Sequence, residues 1–409
     1  MNLLQKWPLH SLPCLLTLLL LAPATRSLAE IPAEFDRYMV DTMAEWRVPG
    51  MLVSVVKDDA VVMTRGFGLR RFGEPEEVDA DTLFSIGSTS KAFAAATVAV
   101  LVSDGLIDWD DRVSQYLPWL ELYDPEVTAQ FTVRDMLSGT LGAFYADENK
   151  LRSKVKDSRE ILDRGKYIEP RAPFRSGFIY TNNMFIASGE LVEAVSGKTW
   201  PDFARERLWL PLGMTSTGAS AEAAWASGNA ASGHVKALFS SKPKPTPYSY
   251  CDEICVPSGG VNTNAKDVAN WLRFQLGDGS FAGKGLIAPE PFAEMHRPQS
   301  LMHLLDDDSA FGIYTPFPTR DAERWGFASP AYGFGWGLFE YRGQQALWHS
   351  GGANNTSSVA ILVPELSLGI FVSANRSTSD ITKIVSLHLL DAYLGGNEVN
   401  WSEKFAAKD

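Results

Sequence analysis

A serine three residues before a lysine can act as a nucleophile beside its own base, provided the two side chains share a helix face. The sequence holds four such pairs: Ser54 and Lys57, Ser88 and Lys91, Ser153 and Lys156, Ser241 and Lys244. In a strand, positions three apart point to opposite faces, which removes Ser54 and Lys57. The pairs at 153–156 and 241–244 lie in polar stretches with nothing to exclude water. Ser88-Thr89-Ser90-Lys91 is different, because it opens the Ala- and Val-rich run Ser88–Val102. That run is apolar on nearly every side and is expected as a buried helix. Lys91 then sits one turn from Ser88, close to a helix start whose N–H groups and positive potential suit an oxyanion. A desolvated lysine has a lowered pKa and can take the serine proton. Taken alone, the motif is explained equally well by a capping serine and a lysine that reaches for solvent.

Two further motifs occur once each. Tyr180-Thr181-Asn182 precedes an apolar helical run from Met184. A phenol near an ammonium can relay a proton, and Asn182 offers a donor and an acceptor to a substrate amide. His349-Ser350-Gly351 ends the apolar strand Ala346–Trp348. A strand edge there can pair with an extended substrate, and the N–H of Gly352 is a candidate second oxyanion donor. No G-x-S-x-G elbow, H-E-x-x-H, P-loop or Rossmann glycine pattern is present, and the six His are scattered singly. The residues imply no metal and no organic cofactor.

The elements that must position these residues follow from periodicity. Glu34–Arg47 has helical spacing of apolar residues. Met51–Lys57 and Ala60–Gly66 are β-branched runs joined by Asp58-Asp59, a hairpin signal. From about Gly105 to Gly213 the pattern is mainly helical, and Asn264–Leu276 is a further helix capped by Asn264. Tyr332–Tyr341, Ala346–His349, Ser357–Pro364 and Leu368–Ala374 read as strands, and Ser379–Leu394 as a closing helix. Strands at both ends of a helical middle predict an α/β fold: an antiparallel sheet flanked by N- and C-terminal helices, with a mainly helical domain inserted. The expected division is a discontinuous α/β domain over 30–104 and 285–398, an inserted helical domain over 105–284, and a tail over 399–409.

The chain has 409 residues, 45% of them hydrophobic, enough for a substantial core. A net charge of −12 with no dense basic stripe argues against nucleic acid as a partner. Lys6, the apolar run Leu12–Ala22 and small residues up to Ala29 read as a signal peptide over 1–29, too short to span a bilayer. The expectation is an exported protein, periplasmic or secreted, with no stable membrane span after cleavage. Cys251 and Cys255, four apart in an exported chain, are expected to be oxidised to each other.

Ser-x-x-Lys at 88, Tyr-x-Asn at 180 and His-x-Gly at 349, in this order, resemble the three boxes of the serine β-lactamase and penicillin-binding protein family. The likeness is strongest to class C β-lactamases, DD-peptidases, D-aminopeptidases and family VIII esterases. It extends over Leu83–Phe93, Leu106–Pro118, Pro211–Met214, Ser258–Val261 and Tyr332–Leu338. The resemblance implies a β-lactamase/transpeptidase-like fold and an acyl-enzyme formed on Ser88. Lys91 and Tyr180 would share the proton transfers, and the N–H groups of Ser88 and Gly352 would hold the oxyanion. Asn182, Ser350, Gly351 and Gly352 would contact a small-molecule or peptide-like substrate. His349 stands where class C β-lactamases carry a lysine, which points to the peptidase and amidase branch. Leu137–Gly142 also departs from the usual His-Thr-Ser-Gly, and the residues between Gln299 and Tyr332 are expected as a flap. Alternatives are a carboxylesterase, a β-lactamase, or a penicillin-recognising protein without turnover.

Overall fold

The computed structural model describes residues 31, 34–143, 145–151, 155, 157–236, 242–247, 254–302, 327–377, 380–396 and 399–406. Residues 1–29, Cys251, most of the expected flap, and Ser153, Lys156 and Ser241 lie outside them. The helices that matter for the site are α1 (Phe35–Glu45), α2 (Lys91–Ser103), α3 (Val133–Ser138), α4 (Tyr145–Leu151), α5 (Asn183–Ser196), α6 (Ala265–Gln275), α7 (Ile381–Leu394) and α8 (Trp401–Ala406). The main strands are β1 (Gly50–Lys57), β2 (Ala60–Gly68), β3 (Ser300–Leu301), β4 (Phe327–Tyr332), β5 (Gly337–Tyr341), β6 (Gln344–Ala353), β7 (Thr356–Val363) and β8 (Leu368–Ala374).

These eight strands form one antiparallel sheet in the order β2-β1-β8-β7-β6-β5-β4-β3. Both ends of the described chain feed it, as the sequence pattern predicts. The β1–β2 hairpin turns on Asp58 and Asp59, both in the left-handed region at φ 52 and 61. Short polar side chains tolerate that region better than most.

Side chains alternate along β1 between two cores, as the two-residue period of a strand requires. Met51, Val53 and Val55 pack under α1 and α7. Leu52 and Val56 face the helical side, together with α2, α5 and α6. Helices cover both faces, so β1, β7 and β8 are buried almost throughout. α2 is buried along nearly its whole length, which explains its all-round apolar sequence.

Several boundaries differ from expectation. Tyr332–Tyr341 is two strands, because Phe334 and Trp336 leave the sheet and bury their rings in the helical core. His349 does not end a strand; β6 continues through Ala353. Residues 399–406, expected as part of a tail, carry α8, whose Trp401 and Phe405 are buried. The Trp401 indole donates to the buried Asp391 carboxylate at 2.8 Å, which ties the segment to α7. α6, which lies in the stretch expected as inserted helices, packs on the sheet: Ser54 Oγ donates to its first carbonyl, Ala265 O, at 2.8 Å. No described helix is long and apolar enough to cross a membrane.

Candidate active site

Ser88 lies in a tight 3-10 turn, Gly87–Ser90, that precedes α2 rather than in the first α-helical turn. The turn is pinned from the sheet. Ser358 Oγ and Thr89 Oγ1 both donate to Ile86 O, at 2.6 and 2.8 Å, and Thr356 Oγ1 donates to Ser85 O at 2.6 Å. From below, Val261 N donates to Ser90 Oγ at 3.1 Å. These bonds hold the serine in place without using its own hydroxyl, so Ser88 is not spent on capping.

Lys91 is fully buried, and its ammonium reaches three acceptors. Nζ donates to Ser88 Oγ at 3.2 Å, Asn182 Oδ1 at 2.8 Å and Ser258 O at 2.7 Å. The rings of Tyr180 and Phe185 lie 4.8 and 5.3 Å away. The snorkelling alternative is therefore excluded: the side chain turns inward and ends against Ser88. Ser258 O, a backbone acceptor, leaves no signature in a sequence, and only the neighbouring Ser258–Val261 likeness marks the place.

Tyr180 and Asn182 arrive on the segment leading into α5. Ile179 N donates to Gly139 O at 2.8 Å and Phe178 N to Leu301 O at 3.2 Å, so the divergent Leu137–Gly142 turn and β3 hold it from either side. Tyr180 is buried, with its ring 6.2 Å from that of His349. Ser88, Lys91, Tyr180, Asn182 and His349 thus converge on one place, as the three boxes require.

β6 completes the site. β5 pairs only with residues 344–348 of β6, so His349–Ala353 presents an edge on that side. Gly351 and Gly352 lie on this edge, against the backbone of the nucleophile turn. A Cβ on Gly87, which has φ +53, would sit 2.4 Å from Gly352 N. One on Gly351 would sit 2.0 Å from Ile86 O and 2.9 Å from Ser88 N. Glycine is needed at both positions because two backbones meet there, and the N–H groups of Ser88 and Gly352 are brought close together. Gly352 is exposed and Ser88 and Ser350 half-buried, so the site opens at this point.

His349 is buried, and both of its ring nitrogens are engaged. Nδ1 lies 2.7 Å from Ser350 O, which can only accept, so Nδ1 carries the proton. Nε2 is then the acceptor for the Tyr332 hydroxyl at 3.1 Å. Burial first, and then the positive charge of Lys91, push the imidazole down to about 3, against a weaker opposing pull from the Ser350 carbonyl. Burial pushes the Tyr332 phenol well above its usual range, so it remains a donor. The third box is uncharged. The imidazole is held far below the range near pH 6–7 in which an exposed histidine titrates.

The folded pKa lies below the value of 6.5 for an exposed histidine, so stability is complete above pH 6.5 and is lost as the pH falls toward 3. Each pH unit in that window costs up to about 1.4 kcal/mol from this residue. Over pH 5.5–7.5, any inflection in kcat/KM should persist in His349→Asn. The expected change of that variant is a lower kcat/KM at every pH and a flatter acid limb in thermal melts. An inflection near 6.5 that vanishes in the variant would contradict the neutral, locked imidazole.

A family model described as Beta-lactamase matches residues 35–390. Unguisins hydrolase ungD' of Aspergillus campestris is 31% identical over 378 residues, 88% of this chain; the chain spans only 65% of that protein's length. Penicillin-binding protein 4 of Amycolatopsis lactamdurans is 26% identical over 329 residues, 78% of this chain and 79% of that protein. Among solved structures, the octameric penicillin-binding protein homologue from Pyrococcus abyssi superposes with a TM-score of 0.75 at 21% identity, covering 89% of this chain and 77% of that one. With the sheet order and the buried lysine already in place, the match over residues 35–390 settles the lineage: the chain belongs to the Beta-lactamase family.

Proposed function

We propose that the chain is an exported serine hydrolase that cleaves an amide or ester bond through an acyl-Ser88 intermediate, acting on peptide-like substrates in the manner of a DD-peptidase or D-aminopeptidase. The observation that carries this reading is the buried Lys91 Nζ, 3.2 Å from Ser88 Oγ and held there by Asn182 and Ser258. In the unprotonated form that nitrogen takes the Ser88 proton as Oγ attacks the substrate carbonyl carbon. The resulting oxyanion lies between the N–H groups of Ser88 and Gly352, aimed at the developing charge. The proton then passes to the leaving amine or alcohol, directly from Lys91 or through Tyr180, as the carbon–heteroatom bond breaks. Water repeats the sequence on the acyl ester and frees Ser88.

The substrate lies extended along the edge of β6, where Asn182 and Ser350 offer polar contacts to its amides. The neutral third box favours the peptidase and amidase reading over β-lactam turnover, because His349 supplies no cation at the position of the class C lysine. The unguisins hydrolase among the relatives supports hydrolysis as the reaction type.

The test is a panel of p-nitrophenyl esters, D- and L-amino-acid anilides and a chromogenic cephalosporin on purified protein, alongside fluorophosphonate labelling. Turnover of anilides or esters well above the cephalosporin, with label on the Ser88 peptide, is expected. A cephalosporin as the best substrate would restore the β-lactamase reading. Label on Ser88 with no turnover of any substrate would leave a binding protein.

A further inference from the structure

Asn182 occupies the N-cap of α5, a position where asparagine ordinarily turns its side chain back to accept the unpaired N–H groups of its own helix. Here it makes no such bond. Its Oδ1 accepts from Lys91 Nζ instead, at 2.8 Å. The N–H groups at the helix start are met from elsewhere, Met184 N by the Thr181 hydroxyl at 3.4 Å and the two before it by a carboxylate. Glu148, on α4 and 1% exposed, accepts from Asn182 N at 2.7 Å and Asn183 N at 3.2 Å with Oε2, and from the Thr181 hydroxyl at 2.5 Å with Oε1. A carboxylate at a helix start is favoured by the helix dipole as well as by the N–H groups.

We propose that Glu148 is a positioning residue for the reaction: by anchoring the backbone at Asn182 and Asn183, it fixes the Asn182 side chain where it holds Lys91 against Ser88. The chain of contacts runs from the Glu148 carboxylate to the Asn182 backbone, from Asn182 Oδ1 to Lys91 Nζ, and from Nζ to Ser88 Oγ. Without the carboxylate, the N–H groups at the start of α5 lose their acceptor. The Asn182 backbone, no longer anchored, then carries its side chain away from the lysine. The lysine loses the contact that fixes its distance and direction. No sequence pattern marked Glu148, which lies 34 residues before Asn182 in a polar stretch.

The inference rests on the acyl-Ser88 reading, and the experiment separates the two. Glu148→Gln keeps the shape of the side chain but removes its charge and one of its two acceptors: with the amide oxygen turned to Asn182 N and Asn183 N, the NH2 faces the Thr181 hydroxyl, which loses its acceptor. On one ester or anilide substrate, Glu148→Gln should lower kcat and the rate of fluorophosphonate labelling by about 10²-fold, with KM within about threefold of wild type. The discriminating measurement is a cycle with Asn182→Ala. If Glu148 acts through Asn182, the double variant is no slower than Asn182→Ala alone, whereas a general loss of structure would multiply the two effects. Should Glu148→Gln fail to fold, Glu148→Asp, which keeps the charge but retracts it by one methylene, carries the same cycle. Wild-type label on Ser88 together with a wild-type rate for the Glu148 variant, or fully multiplicative losses, overturns this inference alone. Absence of any wild-type label on Ser88 overturns the acyl-serine reading and this inference with it.

Discussion

Ser88→Ala and Lys91→Met should each lower kcat by at least about 10³-fold, and the double variant should be no worse than either, because groups that act as one unit fail together. The two single variants should part company in stability. Ser88 is half-buried and its hydroxyl contributes no bond to the turn that holds it, so alanine there leaves the melting temperature nearly unchanged. Lys91 is fully buried, and methionine in its place strips the donor from Asn182 Oδ1 and Ser258 O. A buried acceptor left without its partner costs about 1–3 kcal/mol, so the Lys91 variant should melt measurably lower. Thermal melts beside single-turnover assays check both halves. Full activity in Ser88→Ala, or label on a peptide bearing another serine, would end the mechanism.

Gly351→Ala is expected to be nearly as damaging, although it adds a single methyl group. The added carbon meets Ile86 O at 2.0 Å and Ser358 Oγ at 2.6 Å, and neither can yield. Ser358 Oγ is the donor that pins Ile86 O, and Ile86 leads directly into the nucleophile turn. The edge of β6 must therefore move away from Ser88, carrying Gly352 N with it. A displacement of this size at an oxyanion site costs about 10²-fold or more in kcat. Overpacking should also cost about 1–3 kcal/mol of stability. Gly343→Ala, in an open turn with nothing within 4 Å, is the control and should leave kcat unchanged. Equal kinetics for Gly351→Ala and wild type would mean that the strand and the turn do not meet as described.

Much of the site was legible because side-chain parity and burial are local properties. Ser54 and Lys57 were set aside on strand parity alone. In the fold Ser54 Oγ donates to Ala265 O while Lys57 pairs with Asp58 at 2.6 Å, so the two do not meet. Ser88 and Lys91 stood out because the run after them could only be a buried helix, and it is one. Tyr180, Asn182 and His349 came from single motifs, each with an ordinary structural explanation, and gained weight from their order along the chain.

Other features were beyond reach for physical reasons. A backbone acceptor such as Ser258 O carries no residue-type signal. The protonation of His349 depends on how deeply it is buried and on Lys91 and Tyr332, which lie far from it in sequence or on another strand. The helical run also could not reveal that its first turn is a 3-10 turn pinned by hydroxyls of β7, since those bonds span some 270 residues.

What the sequence by itself determined, then, is which residues could do chemistry and which elements carry them: apolar period and strand parity act over a few residues, so both are written in the order of the chain. What only the tertiary structure decided is their charge and aim. Whether Lys91 points at Ser88 is settled by Asn182, Ser258 and the Glu148 carboxylate behind Asn182, and whether His349 is a cation is settled by its burial beside Lys91 and Tyr332. Desolvation and hydrogen-bond direction depend on what surrounds a group in space, and that is fixed only once distant segments have packed together.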